Sequence, residues 1–248
     1  MEEKGMRIHC KNCQNAFQGN YCPDCGQKGS VQKITFGDTL TDFTDTIFSV
    51  DAPLVRTLKM LFSHPGEMLR EFLSGKRKRY YRPVAFFLLM TVLYLLIRSV
   101  VGYDPLLESA IRVEGSANDP VVQAQQMMFD NINKFLFFFV FWFALLLKLF
   151  FYKQYSLAEY WAVSFYFVGV YIILTTLNMF LAGYISSDLQ FLGILFIGVY
   201  FVYALCSFFK TPKWAIILKT IFIYLLSVVL YFISTFTFSY LLIVIKNQ

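Results

Sequence analysis

Five stretches almost free of charge dominate this chain: Val84–Val101, Phe135–Phe151, Tyr160–Leu181, Leu189–Phe209 and Ile216–Ile245. A helix rises about 1.5 Å per residue, so about 20 apolar residues cross a hydrocarbon core of roughly 30 Å. Runs of this kind are the signature of transmembrane helices, not of strands or amphipathic core helices. The second run is short for a full crossing and the last is long, which predicts tilting or protrusion. With 29 Phe, 16 Tyr and only 16 Asp and Glu in 248 residues, a soluble domain would lack the charge its surface needs. The fold class expected is an all-α membrane protein: a five-span bundle over 84–248, with interfacial amphipathic helices over 31–83 and a small head over 1–30.

The basic residues are placed unevenly. Thirteen of the 22 Lys and Arg fall between Met1 and Arg82, and the segment 102–134 has only Arg112 and Lys134 against Asp104, Glu108, Glu114, Asp119 and Asp130. Lys148 and Lys153 lie between the second and third runs, and Lys210, Lys213 and Lys219 between the fourth and fifth. The connection between the third and fourth has Asp188 and no base. By the positive-inside rule this alternation predicts a cytosolic N-terminus and a C-terminus on the far side. The opening MEEKGMRIHCKNC has no apolar core of a signal peptide, which agrees.

The head carries the second strong signal. Cys10, Cys13, Cys22 and Cys25 form two C-x-x-C pairs within IHCKNCQNAFQGNYCPDCGQ. Each turn presents two soft sulfurs to one side, and two turns close a tetrahedral shell that suits structural Zn²⁺ and leaves no position for a substrate water. Iron in a rubredoxin-like knuckle and a dithiol redox pair are weaker alternatives, and His9, beside a complete cysteine set, reads as a bystander. A cytosolic location keeps these thiols reduced. Gly26 fits the positive φ a knuckle needs, and Phe17 and Tyr21 are placed to pack on the cluster. A head this small needs metal to fold. Beyond folding, the head reads as a docking module for a protein partner, and its only mild basicity argues against nucleic acid.

Between head and spans, Phe36, Leu40, Phe43 and Ile47 predict an amphipathic helix over 34–50. A second begins near Pro53 with Leu54, Leu58, Leu61 and Phe62. A third carries Met68, Leu69, Phe72 and Leu73 and stops at Gly75. These helices suit the bilayer interface or the side of the bundle. The run GKRKRYYRP places Lys76, Arg77, Lys78, Arg79 and Arg82 immediately before the first span. It reads first as a topology anchor with Tyr80 and Tyr81 at the headgroups, and second as a binder of anionic lipid headgroups.

The spans contain no His and no central Asp or Glu; Arg98 and Glu159 lie at edges. Asn178, Thr175, Thr176, Gly169, Gly193 and Gly198 read as helix-packing positions, and Cys206 as a buried thiol. H-E-x-x-H, G-x-S-x-G and Walker A patterns are absent.

The CPDCG of 22–26 and SHPGEMLREFLSGKRKRYYRPVAFFLLM of 63–90 resemble the bacterial membrane proteins of domain-of-unknown-function family 3667. KQYSLAEYWAVSFYFVG (153–169) and FVYALCSFFKTPKW (201–214) are similar to it as well; the family often has Glu-His where this chain has Glu159-Tyr160. The resemblance implies a bacterial inner membrane, a zinc-ribbon head and no assigned activity. The five-span layout with a cytosolic head is also similar in topology to the Yip trafficking family. The expected function is a non-enzymatic scaffold, self-associating or anchored through its spans, whose head docks a protein. The alternative is a transporter or channel for a small neutral or apolar solute, lined by Asn178, Thr175, Ser227 and Thr235. A lipid-modifying enzyme would have only His64, Glu67 and Glu71 to work with.

Overall fold

The computed structural model describes residues 8–29, 52–102, 119–132, 134–184, 190–209 and 213–246. The helix expected over 34–50 lies outside the described residues. In the head, β1 (Ile8–His9) pairs antiparallel with β2 (Ala16–Phe17). The described helices are α1 (Ala52–Ser63), α2 (Pro65–Leu73), α3 (Pro83–Val101), α4 (Pro120–Asp130), α5 (Leu136–Phe150), α6 (Leu157–Tyr184), α7 (Gln190–Phe208) and α8 (Lys213–Lys246), with a 3₁₀ turn at Arg77–Arg79.

Each apolar run is a helix. Among the described residues, three segments are long and apolar enough to cross a membrane: Arg77–Val101, Leu157–Tyr184 and Trp214–Lys246. Leu136–Phe150 and Leu195–Phe208 are shorter apolar helices. Half of the most apolar stretch of α6 is buried, against 28% in the α3 and α8 segments, so α6 is the central helix. It packs along α3, α5 and α7, while α8 packs against α4, α5 and α7. Large side chains such as Leu96, Phe141, Leu149, Leu195 and Leu225 remain exposed on the outside of the helices.

The core is aromatic. Phe143 of α5 lies 4.9 Å (ring centroids) from Phe201 of α7, and Phe167 of α6 lies 5.3 Å from Phe201. Phe86 of α3 packs on Tyr166, and a Cβ on Gly169 would overlap its ring, which explains the glycine at that crossing. Gly193 likewise lies against Asn178. α5 and α8 run antiparallel: Phe138 meets Phe238, Trp142 Nε1 donates to Ser234 Oγ at 2.7 Å, and Phe150 meets Phe222.

Two helices that do not span build a neck on one pole. Pro65 starts α2, and Met68, Leu69 and Phe72 bury its apolar face. The pair docks on α7 through Tyr200 and Tyr203, whose hydroxyls donate to the carbonyls of Leu61 and Ser63. Gly66 sits so close that a Cβ there would overlap the backbone of Ser207 and Phe208. Arg70 donates to the Ser207 and Phe208 carbonyls, satisfying acceptors that the end of α7 leaves open. The last turn of α5 and the first of α6 reach the same pole, where Phe151 stacks on Phe209 and Tyr155 on Phe208.

One expectation changes, and two local caps appear. Tyr80 and Tyr81 are 3% and 5% exposed, not at headgroups. The Tyr81 amide donates to Thr57 Oγ1 and its carbonyl accepts from Tyr166, because the chain ahead of α3 must satisfy its backbone inside the protein. The segment 102–134 contains α4, capped by Asp119, whose carboxylate accepts from the Val121 amide, and packed on α8. Glu159 is a capping residue and no charge awaiting a ligand. Its carboxylate accepts from the Ser156 amide at 2.7 Å while Ser156 Oγ accepts from the Glu159 amide, a reciprocal cap for α6.

Candidate metal centre and its seat on the neck

The two C-x-x-C turns fold alike. The Gln14 amide donates to the Cys10 carbonyl and the Gly26 amide to the Cys22 carbonyl, each at 2.8 Å. The Cys10 amide donates to Asn15 and the Cys22 amide to Gln27, closing each knuckle. The residue after each pair needs a left-handed backbone: Gly26 has φ 67° and Gln14 φ 65°. Gly26 adopts this freely; Gln14 carries a Cβ penalty. Asn15 Nδ2 donates to Asp24 Oδ2 at 2.6 Å and ties one knuckle to the other.

These turns bring all four sulfurs within 4.8 Å of one another. Cys10–Cys25 and Cys13–Cys22 are each 3.5 Å apart. Tetrahedral Zn–S bonds of about 2.3 Å place sulfurs about 3.8 Å apart, whereas a disulfide needs about 2.05 Å. The four thiols are therefore free, and their spacing fits a single metal ion. The proton affinities of the cluster diverge. Cys25 is lowered to about 7: burial opposes this, but hydrogen bonds from Asn12, Gln27 and the neighbouring thiols outweigh it. Cys13 is raised to about 12: a hydrogen bond from the Asn15 backbone opposes this and is outweighed by burial and the three other sulfurs. Sulfurs this close lose their protons in turn, since each new thiolate repels the next. A divalent cation removes that conflict.

Phe17 is buried against Cys10 and Cys22 as expected. Tyr21 is 65% exposed and does not pack there; an isolated bridge to Lys28 turns its backbone along the edge of the head. His9 lies exposed in β1, outside the cluster.

The seat of the head was not legible in the sequence. Gln27, 3% exposed, donates from Nε2 to the Gly75 carbonyl and accepts at Oε1 from the Lys78 amide at 3.3 Å. Its backbone belongs to the second knuckle, so one residue joins the sulfur cluster to the neck. The Lys78 ammonium lies about 3.8 Å from where a Cβ on Gly26 would stand, beside the cysteines.

This changes the basic run. Glu71 accepts from Lys76 Nζ and, at 2.6 Å, from the Tyr80 hydroxyl, with Arg79 at 3.6 Å. Hydrogen bonds from Lys76 and Tyr80, then the two positive charges, hold the Glu71 carboxyl below the usual carboxylate range. Lys76 and Arg79 are thus engaged within the protein, and the Lys78 amide is bound to Gln27; Arg77 belongs to the 3₁₀ turn and Arg82 precedes α3. His64 and Glu67 flank the start of α2, and Glu71 is the only one of that trio built into a network.

Of the positions named for a solute path, Thr235 donates to the Tyr231 carbonyl of its own helix, Asn178 lies against Gly193, and Ser227 is buried. None of them lines the apolar groove of about 560 Å³ between α7 and α8, whose walls include Leu195, Gly198 and Tyr224.

No curated protein and no solved structure matches the chain. Residues 51–95, which cover α1, α2, the basic turn and the first part of α3, match the family model described as Protein of unknown function (DUF3667), the family that the sequence resembles.

Proposed function

We propose that this chain is a non-enzymatic membrane scaffold whose Zn²⁺-braced cytosolic head presents a rigid docking surface to a protein partner. Gln27 carries the reading. A buried amide joins the second knuckle to the backbone that leads into the first span, so the head is held against the membrane body. Tyr21 and Ile8 stand exposed on the head as apolar contacts for such a partner.

In this reading all five apolar helices span a bacterial inner membrane, α5 and α7 included. The pole bearing Arg70, Lys76–Arg79, Lys148, Lys153 and Lys219 faces the cytosol. The opposite pole carries Arg98, Lys134 and Lys246 among the described bases. That asymmetry supports a cytosolic N-terminus and a far-side C-terminus. Zn²⁺ would be held by Cys10, Cys13, Cys22 and Cys25 and would supply folding energy to the head.

Affinity purification in mild detergent, with the full chain and with a chain lacking residues 1–30, tests the scaffold. Partners recovered only with the head intact support it. Identical protein sets from both chains overturn it.

A further inference from the structure

The basic stretch before the first span is largely occupied by the protein itself, yet a second basic site lies on the same pole. The chain between α5 and α6 and the first turns of α8 enclose a cleft of about 210 Å³, lined by Phe150–Gln154, Ala215, Ile216 and Lys219. Two cations stand in its walls. Lys219 Nζ lies 5.2 Å above the Phe151 ring and at the edge of hydrogen-bond reach, 3.5 Å, from the Phe150 carbonyl. Lys153 Nζ lies 5.4 Å from the Tyr152 ring. No carboxylate lines the cleft, and neither lysine has an acidic partner among the described residues.

Its surroundings are those of a membrane boundary. Trp214 is 80% exposed one turn before Lys219, and Tyr152 is exposed beside Lys153. Exposed aromatics of this kind settle at headgroup depth. Below the cleft, Leu218 and Phe222 present an apolar outer wall of α8. A ligand that satisfies both parts is negatively charged at one end and hydrocarbon at the other.

We infer that the cleft between the α5–α6 connection and the start of α8 binds the phosphate of an anionic phospholipid through Lys153 and Lys219, with the acyl chains along Leu218 and Phe222. Lys148 does not contribute, since its ammonium is held by the Tyr152 and Tyr155 carbonyls, where it closes the end of α5. The site is separate from the run at Lys76–Arg82 and does not depend on the head or on a protein partner.

The full-length protein, in nanodiscs of phosphatidylcholine containing a titrated fraction of phosphatidylglycerol, tests this by native mass spectrometry of retained lipid. The comparison variants are K153M/K219M, the charge-keeping K153R/K219R, and K28M/K59M, which removes equal charge from other exposed positions. Expected is a roughly 30-fold weaker retention of phosphatidylglycerol in K153M/K219M, about fivefold per lysine near an anionic surface. K153R/K219R and K28M/K59M should stay within about twofold of the wild type. Helical circular dichroism should be unchanged in all three. Equal retention in K153M/K219M overturns the site, and an equal loss in K28M/K59M reduces it to diffuse charge. Displacement of phosphatidylglycerol by millimolar glycerol phosphate would overturn the lipid assignment in favour of a free phosphate.

Discussion

The head and the helical body solve the same problem with opposite means. The body buries rings: Phe143, Phe167 and Phe201 touch across three helices and need no polar partner. The head buries little apolar surface beyond Phe17, Cys10 and Cys22, and is held otherwise by backbone hydrogen bonds, the side chains of Asn15 and Gln27, and its sulfurs. Apolar packing tolerates the loss of one contact by small adjustments nearby. A four-ligand shell does not, because the remaining thiolates are left without their cation. The neck lies between these regimes. Its helices are packed like the body, but it is tied at both ends by polar side chains, Gln27 toward the head and Arg70, Tyr200 and Tyr203 toward α7.

Removing the metal should separate the two regions most sharply. Cys22→Ser, or a strong chelator, should unfold residues 8–29 while the helical circular dichroism stays near wild type. With Zn²⁺ held as proposed, the metal would contribute on the order of 10 kcal/mol to folding, so hydrogen exchange in the head should rise to unprotected rates once it is lost. Simultaneous melting of head and body would show that they are one cooperative unit.

Next in size is Gly66→Ala. Its methyl group meets the backbone of Ser207 and Phe208, which cannot yield as a side chain would. A loss of about 3 kcal/mol is expected, seen as earlier thermal release of α1 and α2 from the body. An unchanged melting temperature would mean that the neck is not held on α7 as described.

Acid should loosen the neck with a smaller effect. The folded pKa of Glu71 lies below the ordinary carboxylate value. Its contribution is therefore fully present above about 4.3 and is lost as pH falls through the folded value. Hydrogen exchange over 71–80 should rise between neutral pH and pH 3, after correction for intrinsic rates. Glu71→Gln should already show that increase at pH 7, at a cost of about 2 kcal/mol. Equal exchange in the two proteins at pH 7 would remove Glu71 from the network.

The smallest change is a gain. Gln14→Gly relieves the Cβ penalty at φ 65°, about 1 kcal/mol, and returns part of it as added freedom of the unfolded chain. Metal should then be released at a slightly higher chelator concentration. A lower release point would assign the Gln14 side chain a role in the head.

What could be read from the sequence was local. Paired cysteines at fixed spacing, long uncharged runs and the Pro and Gly that bound α2 all act within a few residues, and each is found where the pattern places it. The Ser156-Glu159 cap and the Asp119-Pro120 start of α4 are also written locally, each cap residue lying two or three positions from the amide it satisfies. Gln27 and Glu71 could not be read in this way. Their partners lie across a turn or many residues away, and a lone Gln or Glu in sequence carries no address. Tyr80 and Tyr81 sit beside five bases and look interfacial until Thr57 and Tyr166 claim the backbone between them.

One consequence follows from the amide of Gln27. The covalent path from Gln27 to Gly75 is 48 residues long, yet one hydrogen bond closes it. The place of the cysteine tip is thus set by the chain that leads into the first long helix, and not by the length of the segment between them.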